Sequence, residues 1–223
     1  MRVGSPAMPE THADPHAIPV YAGSGRRAPL DTLFAHLSTV FGADARSLAA
    51  LRIALGTIVL VDLVGRWSDI RVHYTDAGLF PREQAIANLN PWRWSVFLLN
   101  GTEVYARLVF LVAIAIAIAV ILGYRTRIAT IALWVLLLSL QARNPLVLSA
   151  ADAFLRMLVF WAMFLPLGAA WSLDRRLGRQ PASTGTRVAS VATAALFLQI
   201  AFVYLFTAML KTGDAWRSDF TAI

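Results

Sequence analysis

The sequence predicts an all-α protein: a polytopic membrane bundle of about five transmembrane helices, preceded by an amphipathic helix lying at the interface. Three observations carry that prediction. Hydrophobic residues fill 58% of the 223 positions and charged residues only 15%, where a soluble domain carries roughly 25% charged residues. Mean hydropathy is +0.61, more apolar surface than a soluble core of this size could bury. The apolar residues are also gathered into runs close to the ~20 residues that one span needs.

In chain order, residues 1–29 are rich in Pro, Ala, Gly and His without an apolar run, so they read as a disordered tail and not as a cleaved signal peptide. The membrane domain is expected to occupy residues 30–223. From Leu30 the series Leu30, Leu33, Phe34, Leu37, Val40, Phe41 follows helical spacing, with Asp31, Thr32, His36, Ser38 and Thr39 opposite. It is too short to cross a bilayer and suits the interface. The spans are expected at about Leu48–Trp67, Val104–Gly123, Arg127–Arg143, Asp152–Leu167 and Val188–Lys211. Gly123-Tyr124-Arg125-Thr126 makes the second and third an antiparallel hairpin, and Asn144-Pro145 marks the next turn. The long connection from Ser68 to Glu103, with Pro81, Pro91, Trp92 and Trp94, is expected along the interface, where tryptophan is favoured.

The formal charge of +7 is spread between apolar runs and forms no continuous stripe, so it marks topology, not nucleic-acid binding. Arg26, Arg27, Arg46, Arg125, Arg127, Arg175, Arg176, Arg179 and Arg187 all fall on one side if five spans are present. The positive-inside rule then puts the N-terminus in the cytoplasm of a cell-membrane protein. Cysteine is absent, which removes disulfides, thiol nucleophiles and Cys-ligated metals. The four histidines have no metal-ligand spacing.

Charged residues inside spans need partners or a wet cavity. Asp62 and Arg66, at i, i+4, fall near the outer end of the first span; Asp152 and Arg156, again at i, i+4, open the fourth; Lys211 ends the fifth, with Asp214 beyond it. This candidate polar cluster sits in one half of the membrane. The plainer reading is of snorkelling end residues and structural ion pairs. Arg52, near the other end of the first span, reads as a snorkelling anchor, and Gly56 and Gly65 as sites of close helix packing. Nineteen of the twenty basic residues are arginine, and the one lysine is Lys211. Lysine, unlike arginine, can give up its proton and serve as a general base; survival by chance in an arginine-biased chain is the alternative.

Several stretches taken in order bear a resemblance. They are Leu51-Arg52 through Asp62, Tyr74-Thr75-Asp76-Ala77-Gly78, Leu122-Gly123-Tyr124-Arg125-Thr126-Arg127, Trp171-Ser172-Leu173-Asp174, and Tyr204 through Lys211 leading to Trp216. Over residues 44–223 the chain resembles the HTTM membrane domain, the transmembrane module shared by vitamin K-dependent γ-carboxylases and many bacterial proteins. The resemblance implies a role for Lys211, which matches the lysine regarded in the carboxylases as the base that deprotonates reduced vitamin K. The implied co-substrate is a reduced, vitamin K-like quinone, and the implied partners are the lipid bilayer and a peptide or protein substrate. The chain differs from the carboxylases at Arg143–Val147, where they carry a polar, histidine-containing segment, and at Leu210, where they carry a second lysine. It stops twelve residues after Lys211, so a truncated domain is expected. The alternative function is a non-catalytic scaffold or accessory factor in peptide maturation or export, and a small transporter has little behind it, because the two halves show no repeat of interrupted helices.

Overall fold

The computed structural model describes residues 36, 38–87, 94–179, 187–213 and 216. The expected tail and residues 30–35 and 37 of the interfacial segment lie outside the described residues, while residues 38–41 are helical. Every element below belongs to the unit that begins at residue 37.

A two-residue strand β1 (Ala43–Asp44) leads into α1 (Ala45–Gly65), whose start is capped by the Asp44 carboxylate accepting from the Arg46 N–H at 2.7 Å. Two short helices, α2 (Ile70–Tyr74) and α3 (Arg82–Ala87), follow before α4 (Glu103–Leu122), α5 (Thr126–Arg143) and α6 (Ala150–Ala162). The one-turn helix α7 (Leu173–Arg176) and strand β2 (Arg187–Val188), antiparallel to β1, precede α8 (Val191–Leu210). Four helices, α1, α4, α5 and α8, are long and apolar enough to cross a membrane. Val61, Val104 and Ile128 on three of them are 66%, 70% and 62% exposed. Helices that stay apolar on their outward faces call for lipid as their solvent.

Helices α1 and α4 pack side by side where Gly56 lies against α4: a Cβ at Gly56 would come within 2.7 Å of the Ile121 side chain. Gly65, expected to act similarly, has open space around it. The α4–α5 hairpin closes as the sequence predicts. Gly123 takes the left-handed conformation (φ 69°) at the end of α4, and the Tyr124 N–H reaches back to the Ala119 carbonyl, a Schellman arrangement that only glycine adopts without strain. Gly123 also has the Arg52 guanidinium and Ser172 pressed against the place where a Cβ would stand. Gly123→Ala is therefore expected to lower stability by about 1–3 kcal/mol, read as a lower thermal unfolding temperature in detergent; Gly65→Ala serves as the harmless control.

The run expected as the fourth span breaks. Helix α6 has 13 residues, about 20 Å at 1.5 Å per residue, short of the ~30 Å hydrocarbon thickness. Pro166 is the cause: it lacks the N–H that the Ala162 carbonyl needs, and its ring crowds that carbonyl. The helix tightens instead, with Phe164 N–H bonding Trp161 O and Leu165 N–H bonding Ala162 O. The chain nevertheless crosses the bundle, because Asp152 at one end meets Arg66 and Asp174 at the other meets Thr126. Irregular backbone at that depth requires protein around it, and Leu165, Leu167, Ala169 and Ala170 are buried.

Candidate functional site

Two polar centres sit at opposite ends of the bundle. The end carrying α2 and the start of α4 holds the first. Arg66 closes α1 and donates through Nε to both Asp62 oxygens at 2.8 Å and through its second terminal nitrogen to Asp152 at 2.7 Å. Its remaining terminal nitrogen lies 3.3 Å from the Tyr74 hydroxyl. The i, i+4 spacing brings Asp62 to Arg66, and the return of α6 brings Asp152. The other expected i, i+4 pair, Asp152 with Arg156, does not form. Asp152 is taken by Arg66 and by a capping box with Ser149, whose N–H donates at 2.7 Å. Arg156 donates to the Gln141 side chain at 2.7 Å, while Gln141 donates to the Asp152 carbonyl. Burial works against the Arg66 charge, but the hydrogen bonds to Tyr74 and Asp62 and the Asp62 charge hold its pKa above the ordinary value. Burial pushes the Tyr74 hydroxyl up, with Arg66 pulling the other way. Tyr74 therefore keeps its proton at neutral pH, giving the cluster one hydroxyl beside two carboxylates and a guanidinium.

Sequence reasoning missed Tyr74 as part of this centre, as well as the arginine behind it. Arg143, fully buried at the end of α5, donates to the Phe80 and Thr75 carbonyls at 2.8 and 3.2 Å. Asn144 donates to the His73 carbonyl at 3.1 Å. The described part of the connection thus folds down onto the bundle, with Tyr74 packed on Phe97 and Phe110. Pro91 and Trp92 lie outside the described residues.

Lys211 occupies a different setting. It caps α8, is exposed, and holds its ammonium 4.2 Å from the centre of the Trp216 ring. Every residue from 201 to 210 is exposed, and α8 is tied to α6 lower down, where the Trp161 indole donates to Gln199. Among the described residues Lys211 makes no ion pair with Asp62 or Asp152, and Asp214 lies outside the described residues. An apolar trough of about 600 Å³ runs along α8 from Trp161 and Gln199 past Phe202 and Phe206 to Leu210. The enclosed void between α1, α4 and α5 is only about 10 Å³ and lined by Val59, Leu63 and Phe110, too small for any ring.

The second centre is at the hairpin end. Arg52 is fully buried there, donating to the Leu167 and Trp171 carbonyls at 3.2 and 2.6 Å; it is not the snorkelling anchor expected from its position. Asp174 accepts from the Arg125 and Thr126 N–H groups at 2.8 and 2.7 Å and from the Thr126 hydroxyl at 2.8 Å. Burial would raise its pKa, but the Thr126 and Arg125 hydrogen bonds and Arg179 prevail and lower it. It stays a carboxylate and caps α5.

A family model, described as the HTTM domain, matches residues 42–221. No curated protein and no solved structure shows significant similarity to the chain. The match spans α1 to α8 and both polar centres. With four helices fit to cross a bilayer and an apolar exterior, the chain is a membrane protein belonging to the HTTM domain family.

Proposed function

We propose that the protein is a quinol-dependent, carboxylase-like enzyme of the cell membrane, with its N-terminus in the cytoplasm and Lys211 as its catalytic base. The observation that carries this reading is the trough along α8, a helix long and apolar enough to cross a membrane, which ends at Leu210, beside Lys211. Its volume of about 600 Å³ falls in the range of small-molecule pockets. Apolar walls with one amide, Gln199, and one hydroxyl, Thr207, suit an aromatic ring bearing an isoprenoid tail that enters sideways from lipid. When bound, a reduced quinone supplies an acidic hydroxyl and the reducing equivalents of the reaction. Lys211 would take the hydroxyl proton at Nζ, Trp161 and Phe202 would flank the ring or tail, and the low-dielectric wall of α8 would keep water away. A peptide or protein is the second substrate in this reading. The arginines at the hairpin end support the orientation.

The second reading is a non-catalytic scaffold in peptide maturation or export. The Asp62–Arg66–Asp152 cluster favours it, since each charge already has a partner and the Arg66–Asp152 pair joins two helices.

The test is reduced menaquinone titrated into the full chain in nanodiscs, beside Lys211→Ala and Lys211→Arg. Binding by all three proteins with turnover in the wild type alone is the expected result. Failure of the wild type to bind, or equal turnover by all three, would sink the enzymatic reading and leave the scaffold.

A further inference from the structure

The break in α6 leaves a pocket of about 270 Å³ between the turns after Ala162 and the first turns of α5. On one side are Arg127 and the buried Thr126 and Thr130, whose hydroxyls donate to Asp174 and to the Thr126 carbonyl; on the other are residues 162–168 with the half-exposed Phe164 ring.

Arg127 is the arginine that lines this pocket. Three neighbouring arginines at this end are engaged: Arg52 with the Leu167 and Trp171 carbonyls, Arg175 with the Ala169 carbonyl, and Arg179 with Asp174 and the Tyr124 ring. Among the described residues the Arg127 side chain has no hydrogen bond or ion pair, although it lines a pocket. The surroundings are strongly cationic. Arg46, Arg125, Arg127, Arg175, Arg176, Arg179 and Arg187 are all exposed, whereas the two carboxylates nearby, Asp44 and Asp174, are occupied as helix caps.

We propose that this pocket binds one anionic phospholipid, with the phosphodiester on Arg127 and the first part of an acyl chain along Phe164. A guanidinium matches a phosphate with two parallel hydrogen bonds, and a basic cluster next to a span draws anionic headgroups from the bilayer. The volume is below the usual range for a whole drug-sized ligand and suits a headgroup, with the tails left in lipid. The turns forced by Pro166 thus open a groove beside the start of α5 that an unbroken helix would close. This site is separate from the trough along α8, and its test does not depend on any enzymatic activity.

Native mass spectrometry of the full chain, with phosphatidylglycerol or phosphatidylcholine of the same acyl chains added, reads the site directly. One phosphatidylglycerol per chain is expected, held about tenfold more tightly than phosphatidylcholine. Arg127→Gln should erase that preference, Arg127→Lys should retain most of it, and Arg46→Gln, which removes the same charge outside the pocket, should leave it intact. The proposal is overturned if the two lipids bind alike, if Arg46→Gln weakens binding as much as Arg127→Gln, or if soluble glycerol phosphate binds as tightly as the lipid. The last outcome would make it a free-phosphate site.

Discussion

Exchange of Arg143 for methionine is expected to destabilise the protein by roughly 2–4 kcal/mol and to loosen the connection between α1 and α4. Methionine keeps the length of the aliphatic stem, so packing at the end of α5 changes little. What disappears is the pair of charged hydrogen bonds to the Phe80 and Thr75 carbonyls. Thr75 is itself buried, and its carbonyl would lose its donor in a place water does not reach, a cost of about 1–3 kcal/mol for an unsatisfied group. Relief from burying a guanidinium offsets part of this, which keeps the net figure moderate. Two readouts separate the local effect from the global one. Thermal unfolding in detergent should shift downward, and limited proteolysis should cut between residues 76 and 102 well before the helices. Arg71→Met is the control, because Arg71 is largely exposed and its contact with Glu103 is 4.0 Å long. Equal proteolysis of both variants would show that Arg143 does not anchor this segment.

The same anchoring shapes the Asp62–Arg66–Asp152 centre. Tyr74 comes within reach of Arg66 because α2 is held down by Asn144 on the His73 carbonyl and by Arg143 on the Thr75 carbonyl. The polar centre is therefore assembled by α1, α2 and α6 together, with α5 holding α2 in place.

The bundle was legible in the sequence because its cause is local: long apolar runs, a glycine where a left-handed turn is needed, and a proline after Asn144. Asp62 with Arg66 was legible for the same reason, since i, i+4 spacing stacks them on one helix face. Asp152 with Arg156 had identical spacing and failed. Its carboxylate had two competing partners, Ser149 three residues earlier and Arg66 on another helix. The Ser-x-x-Asp spacing was a visible capping signal; the Arg66 contact was not visible from spacing. Pro166 was equally visible, yet a run that stays apolar through a proline looks continuous to hydropathy, which is blind to a missing N–H. Arg52 and Arg143 were the least legible. Their acceptors are backbone carbonyls, which every residue possesses, so no side-chain pattern announces them. Asp214 and most of the interfacial segment fall outside the described residues, and the role of Lys211 rests on the reading proposed above.

Arg52 gives the second large expected effect. Its guanidinium bridges the Leu167 and Trp171 carbonyls, one within the irregular stretch that replaces the rest of α6 and one at its end. Trp171 has a left-handed backbone, φ 48°, which for a bulky residue costs on the order of 1–2 kcal/mol. The bond from Arg52 to its carbonyl helps to hold it there. Arg52→Met should therefore destabilise the protein by roughly 2–4 kcal/mol, and amide hydrogen exchange should rise first across residues 163–176. Arg52→Lys tests the geometry apart from the charge. A single ammonium cannot present two divergent N–H groups as a planar fork does, so the lysine variant should recover less than half of the lost stability. Full recovery by lysine would mean that positive charge beside Asp174 matters, not the bridge. The Gly123 contact adds a further constraint. Because the guanidinium presses on the spot where a Cβ would stand, Gly123→Ala should be less damaging when Arg52 is already methionine. That non-additivity would show that the α4–α5 turn and the broken segment after α6 are held by one side chain.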